Sequence, residues 1–146
     1  MNTKNNILIA KILTYLGTIP FVGATILFMT PIKIIDPNLI ALTYSTVIIA
    51  FLSGIHWAIY LFFSEKYPQN LFITSNIISL IIWFCYILSF KGIYFVHTAC
   101  FIYLLIVDNK LYKLEILPKW FYSLRRNATI IVIICLSIIV FLSEFK

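Results

Sequence analysis

The stretch that decides the fold is Leu39–Phe63, LIALTYSTVIIAFLSGIHWAIYLFF, which runs for 25 residues without an Asp, Glu, Lys or Arg. A helix needs about 20 predominantly apolar residues to cross a hydrocarbon core roughly 30 Å thick. A run of this length therefore predicts a membrane-spanning helix. Of the 146 residues in the chain, 62% are hydrophobic, and the mean hydropathy is +1.03. This composition indicates that other segments of the chain are also apolar enough to lie in a membrane.

Four other apolar runs accompany the first, and together they predict an all-α, polytopic bundle of five transmembrane helices. Each run is expected to be helical because backbone groups facing lipid must be satisfied within their own segment. The length leaves room for one integral membrane domain over residues 1–146 and for no soluble catalytic domain. The predicted spans are Ile7–Met29, Leu39–Phe63, Leu71–Phe90, Ile93–Val107 and Ala128–Leu142.

The fourth run is the shortest of the five. Its residues, at about 1.5 Å each, fall short of a full crossing unless the helix continues through Phe90 or Lys110. Two packing features are also expected. Pro20 should kink the first span after Gly17. Small residues four positions apart in the second span, Gly54 and Ala58, should permit close approach of a neighbouring helix.

The cationic residues predict an orientation. With five spans, eight cations fall on one side of the membrane and three, Lys33, Lys91 and Lys146, fall on the other. Because cytoplasmic loops carry an excess of Lys and Arg, the N-terminus is predicted inside and the C-terminus outside. If the fourth run failed to cross, the asymmetry would largely disappear. The eight inner cations are Lys4, Lys11, Lys66, Lys110, Lys113, Lys119, Arg125 and Arg126.

The segment Leu117–Arg126 predicts a short interfacial helix before the last span. At 100° per residue, four apolar side chains share one face and polar side chains lie opposite. We expect Lys119, Trp120 and Arg126 to contact lipid, either as a simple anchor at the headgroup level or by recognising anionic lipid. The apolar face comprises Leu117, Trp120, Phe121 and Leu124.

Polar side chains within the spans mark candidate functional positions, because they are costly in hydrocarbon. On a helical wheel that starts at Ser45, His56 lies at about 20° and Trp57 at about 120°, so one third of the second span is polar. Helical rise places Asp108 only about 4 to 5 Å further inward than His56, which allows a contact with Arg125 as a competing partner. We therefore predict a candidate functional polar cluster of His56, Trp57, Asp108 and Arg125.

The alternative for His56 is a neutral imidazole that is hydrogen-bonded to a helix carbonyl or a serine rather than one that handles protons. His97 is expected about 12 Å from His56 in depth and near an interface where water is available. The two histidines are therefore not expected to share a metal ion. Polar faces on the second, third and fourth spans are expected to turn toward one another.

Several classes of site and partner are not indicated. The three cysteines, Cys85, Cys100 and Cys135, are widely spaced and lie in apolar runs, so neither a disulfide framework nor a zinc cluster is supported. HExxH, GxSxG and paired acids are all missing from the sequence, so no catalytic residue, metal site or cofactor is predicted. The basic residues are spread along loops, which argues against nucleic acid. The expected partner is the lipid bilayer, while a membrane-protein partner and a small-molecule ligand stay open.

Three segments resemble the domain-of-unknown-function 3429 family, which includes the mitochondrial transmembrane protein 69. They are LGTIPF at Leu16–Phe21, AFLSGIHWA at Ala50–Ala58 and LPKWFYSLRR at Leu117–Arg126. The most specific matches are His56, Trp57, Pro118, Trp120 and Arg125, whereas Ser53 and Ala58 stand where relatives often carry glycine.

The resemblance implies an integral protein of a bacterial inner membrane or of its mitochondrial counterpart, and it brings no biochemical activity with it. The absence of an Arg-rich transit peptide favours the bacterial membrane. Function then divides into three hypotheses. A non-enzymatic scaffold, assembly or lipid-associated role comes first. A small permease or proton-linked carrier that uses the polar faces of spans two to four comes second, and an intramembrane enzyme comes third.

Overall fold

A computed structural model describes residues 3–31, 35–88 and 92–144, and they form a bundle of α-helices. The described part of the chain contains no strand, which confirms the all-α class. A single turn of 3₁₀ helix, Ser64–Lys66, follows the third helix. The α-helices in these described ranges are α1 Thr3–Leu16, α2 Ile19–Met29, α3 Pro37–Phe63, α4 Leu71–Ile87, α5 Ile93–Lys113 and α6 Lys119–Glu144.

Four helices form a closed ring. Within it α3 packs against α2 and α5, and α6 closes the ring by packing against α5 and α2. Helix α4 packs on the outside against both α3 and α5, and α1 packs along α6. The side chains that fill the bundle are large and apolar, and they include Ile49, Phe101, Leu104, Leu136 and Ile139.

The first predicted span is broken into α1 and α2, as the Pro20 signal predicted. Helix α1 ends at Leu16, and α2 begins after Thr18 with Pro20 in its first turn. Proline lacks the N–H that would continue the ladder of hydrogen bonds, so a break at this point is expected. The break lets α2 pack between α3 and α6 while α1 packs along α6.

The packing role predicted for Gly54 is wrong. A methyl group added at Gly54 would meet no described atom within 4 Å, and both Gly54 and Ala58 are exposed. The pair lies on the outer surface of α3 rather than against another helix of this chain.

Within the described residues, four stretches are long and apolar enough to cross a membrane. They are Lys4–Met29, Pro37–Lys66, Ile93–Lys113 and Lys119–Ser143. Helix α5 is longer than the fourth predicted span, because it continues past Val107 to Lys113. The short helix is instead α4, which has 17 residues. At about 1.5 Å per residue it spans about 25 Å.

The prediction of a separate interfacial helix before the last span is wrong. Helix α6 runs without interruption from Lys119 to Glu144, so the predicted interfacial residues from 119 onward form its first two turns. Two of the four side chains on the predicted apolar face, Leu117 and Leu124, are buried against the protein. The segment therefore packs on the bundle through part of this face.

The turn between α5 and α6 is tight. The Ile116 N–H donates to the Leu111 carbonyl and the Glu115 N–H donates to the Tyr112 carbonyl, which is a Schellman motif. Glu115 takes the left-handed conformation that this motif requires, with φ 57°. The rings of Tyr112 and Tyr122 stack with centroids 4.9 Å apart and fix the two helices as antiparallel neighbours.

Some predicted features lie outside the described residues. These are the end of the third span at Phe90 and all three cations that were assigned to the outer side, Lys33, Lys91 and Lys146.

Candidate functional site

Three ionisable side chains meet inside the bundle. His56 Nε2 lies 2.8 Å from Asp108 Oδ1, while Arg125 Nε and Nη2 each lie 3.1 Å from Asp108 Oδ2. His56, Asp108 and Arg125 are 2%, 1% and 9% exposed, respectively. We call this arrangement the triad. Arg125 and His56 do not compete for the carboxylate, because each occupies a different oxygen.

The triad joins three helices at one end of the bundle. His56 and Asp108 each lie in the last two turns of their helices, α3 and α5, and Arg125 lies in the second turn of α6. A carboxylate only accepts hydrogen bonds, so the proton between Asp108 and His56 resides on Nε2. When the imidazole is neutral, the negative charge of Asp108 and the positive charge of Arg125 cancel. The buried charges are therefore paired.

A second polar contact joins α3 and α5 further from the triad. The Ser45 hydroxyl donates to the Leu42 carbonyl, so it accepts from Nδ1–H of His97. Ser45 precedes His56 by 11 residues and His97 precedes Asp108 by the same interval. Eleven residues make about three helical turns. The two contacts therefore lie on the same face of each helix and fix α3 and α5 as parallel neighbours.

The water access predicted for His97 is wrong, because the residue is buried inside the bundle. Its side chain is 0% exposed, and its Nε2 atom has no partner among the described residues.

Replacement of Ser45 by alanine should destabilise the fold. His97 would lose the acceptor for its Nδ1–H in the bundle interior, at a cost of about 1 kcal/mol. We expect the melting temperature in detergent to fall by about 3 °C. Ser143→Ala is the matched control, because the exposed Ser143 hydroxyl bonds only within its own helix, to the Val140 carbonyl. An equal effect of the two variants would contradict a role for the Ser45–His97 contact.

Trp57 does not join the triad. Its side chain is 42% exposed, and its ring packs against Phe72 of α4 with centroids 4.8 Å apart. The polar faces turn inward only in part. Ser53 and Ser75 are buried, whereas Asn76 of α4 is exposed.

The three residues proposed to contact lipid lie at the start of α6. Lys119 and Arg126 are exposed and Trp120 is half-buried, with its ring against Phe121. They lie at the same end of the bundle as the triad.

A groove that the sequence did not predict runs beside the triad. It has a volume of about 400 Å³ and lies between α1 and α2 on one side and α3 and α6 on the other. Arg125 lines one end of it. The side chains along its length are mainly apolar, and they include Leu13, Phe21, Ile48, Phe51, Ile55, Phe101 and Val132.

The three cysteines are free thiols. Across residues 3–31, 35–88 and 92–144, no three His, Cys, Asp or Glu side chains gather in a way that could hold a metal ion. Outside the predicted spans, burial raises the pKa of the Tyr67 phenol, and the nearby Tyr103 phenol adds to the shift. Tyr67 therefore packs as a neutral side chain beneath the turn before α4.

Comparison with known proteins gives one result. The family described as Protein of unknown function (DUF3429) matches residues 7–141, which is nearly the whole chain. No curated protein and no solved structure matches the chain. The match includes the three segments on which the resemblance was based, with His56, Trp57, Trp120 and Arg125 among them. The chain is a member of the DUF3429 family.

Proposed function

We propose that the protein is a five-span integral membrane protein with a non-enzymatic, lipid-associated scaffold role. Its expected location is the bacterial inner membrane, or the mitochondrial inner membrane in a eukaryote, with the N-terminus inside. The observation that carries the proposal is the distribution of polarity. Large apolar side chains cover the outside of the helices, while the charged groups within the bundle are paired with one another.

The outer surface is suited to lipid and to other membrane helices. Leu13, Phe62, Leu80, Phe95 and Phe141 come from five different helices, and each is more than half exposed. Exposed apolar area on this scale is unfavourable in water and neutral in a bilayer. The triad adds rigidity, because one carboxylate holds three helices. A rigid bundle with an apolar exterior fits a scaffold better than a carrier that must open its interior.

Purification from gently solubilised membranes tests this role. We expect a membrane protein or a lipid to accompany the tagged chain reproducibly and to be missing from a parallel purification of an unrelated tagged membrane protein. Recovery of a free monomer without specific lipid or protein would contradict the proposal.

The second candidate is a small permease or proton-linked carrier, and the contact between His56 and Asp108 favours it. An imidazole beside a buried carboxylate is a pair that can exchange a proton. Under this hypothesis Asp108 would fix the orientation of His56, and Arg125 would hold the carboxylate in place.

Vesicles loaded at a different internal pH separate the two candidates. A carrier should produce a proton flux that His56→Gln abolishes. The matched variant His97→Gln should keep that flux, because His97 contacts a serine rather than a carboxylate. A wild-type leak equal to that of empty vesicles across candidate solutes would exclude the carrier.

A further inference from the structure

We propose that the groove beside the triad binds one acyl chain of an anionic membrane lipid, with the charged headgroup at the Arg125 end. This inference rests on the lipid-associated role proposed above and names the ligand and its site. Four observations support the inference: the shape of the groove, its opening, the free hydrogen-bond donors of Arg125, and the positive charge at the end of the bundle where Arg125 lies.

The groove has the dimensions of a chain. On α3 its lining extends from Tyr44 to Ile55, and on α6 it extends from Phe121 to Val132. Each interval is 11 residues, which corresponds to about 16 Å along a helix. A volume of about 400 Å³ lies within the range of pockets that hold small molecules. The groove is thus long, narrow and mainly apolar.

The groove opens to the membrane side of the bundle between α1 and α3. Leu13 of α1 and Phe51 of α3 both line it, and they are 62% and 64% exposed. Its floor is the buried Phe101 of α5. A lipid chain could therefore enter sideways from the bilayer without any helix unfolding.

Arg125 retains hydrogen-bond donors after it binds Asp108. Its Nε and Nη2 atoms face Asp108 Oδ2, while Nη1 has no partner among the described residues. A guanidinium with a free edge favours the oxygens of a phosphate or carboxylate. Arg125 is 9% exposed and lines the groove, so the groove gives a ligand a route to this side chain.

The charge of this end fits an anionic headgroup. Helix α1 begins here, α3 and α5 end here, and α6 begins here, as the triad and the lining of the groove establish. Eight cations lie on the connections at this end or in the adjoining helical turns, against three acids, Glu65, Asp108 and Glu115. Exposed Lys11 directly follows Ala10, which lines the groove. Each cation near a membrane surface contributes about 1 kcal/mol of attraction for anionic lipid.

Native mass spectrometry of the full chain in detergent tests the site. Phosphatidylglycerol and phosphatidylcholine with identical acyl chains serve as probes at equal concentration. We expect wild-type protein to bind phosphatidylglycerol about tenfold more tightly. Leu13→Trp and Phe51→Trp should each reduce this binding at least fivefold, because the indole would occupy the groove.

Two matched variants control for the new tryptophan. Ile12→Trp and Phe62→Trp alter exposed positions that do not line the groove, and they should keep wild-type binding. The melting temperatures show whether all four variants fold. Leu13 and Phe51 lie on different helices at the opening of the groove, so if one filling variant fails to fold, the other still tests the site.

Three outcomes would overturn the site. They are equal binding of the two lipids, equal binding by the filling and control variants, and no lipid bound by wild type. None of them would alter the topology or the recovery of a protein partner, which test the proposed function separately.

Discussion

Asp108→Asn should destabilise the protein more than any other single conservative substitution. The buried guanidinium of Arg125 would lose its counter-charge, and the new amide group would place a donor against either His56 or Arg125. Removal of one partner from a buried pair costs about 3 to 5 kcal/mol. We expect the melting temperature in detergent to fall by roughly 10 °C or more. The yield from membranes should fall with it.

Asp36→Asn is the matched control. Asp36 is exposed, and its carboxylate caps α3 by accepting from the Asn38 N–H, a role that asparagine performs equally well. Its melting temperature should stay within about 1 °C of wild type. The double variant Asp108→Leu with Arg125→Met should recover part of the loss, because it removes both charges together. A stable Asp108→Asn protein would show that the triad does not hold the helices.

Phe101→Ala should produce the second large loss. Phe101 is 2% exposed, and its ring meets Phe21 edge to face with centroids 6.1 Å apart. In a bilayer the hydrophobic transfer term is small, so the cost comes from the packing that a cavity removes. We estimate about 3 kcal/mol from the range seen for buried phenylalanine. Thermal unfolding in detergent measures the loss.

Phe95→Ala on the same helix provides the comparison. Phe95 is 70% exposed on the outer face of α5, so its removal should change the stability by no more than about 0.5 kcal/mol. If Phe101→Ala and Phe95→Ala had the same melting temperature, α5 would not pack with Phe101 inside and Phe95 outside.

The geometry of the triad could be approached from the sequence because helices are regular. Ser45 and His56 were predicted to share a face because 11 residues return a helix to nearly the same direction. The same helical rise predicts Asp108 only about 4 to 5 Å further inward than His56. The pairing of Asp108 with both His56 and Arg125 depends on how three helices pack against one another. A helical wheel describes one helix at a time and does not give that packing.

Other features depend on packing between helices and could not be inferred from one segment. Trp57 follows His56 by 100°, which is enough to turn it from the interior to α4. The fifth span was predicted to begin at Ala128, after the charged residues Arg125 and Arg126. Arginine is a good helix former, so the helix continues through both residues. The groove lies beside the break between α1 and α2, and side chains from five helices line it.

The central claim is that the chain crosses the membrane an odd number of times, with α4 included despite its 17 residues. Reporters fused separately to the two ends, one type active only in the cytoplasm and one only outside it, test this claim most directly. Our account predicts that the N-terminal reporter is active in the cytoplasmic form and the C-terminal reporter in the external form. Activity of the same form at both ends would contradict it.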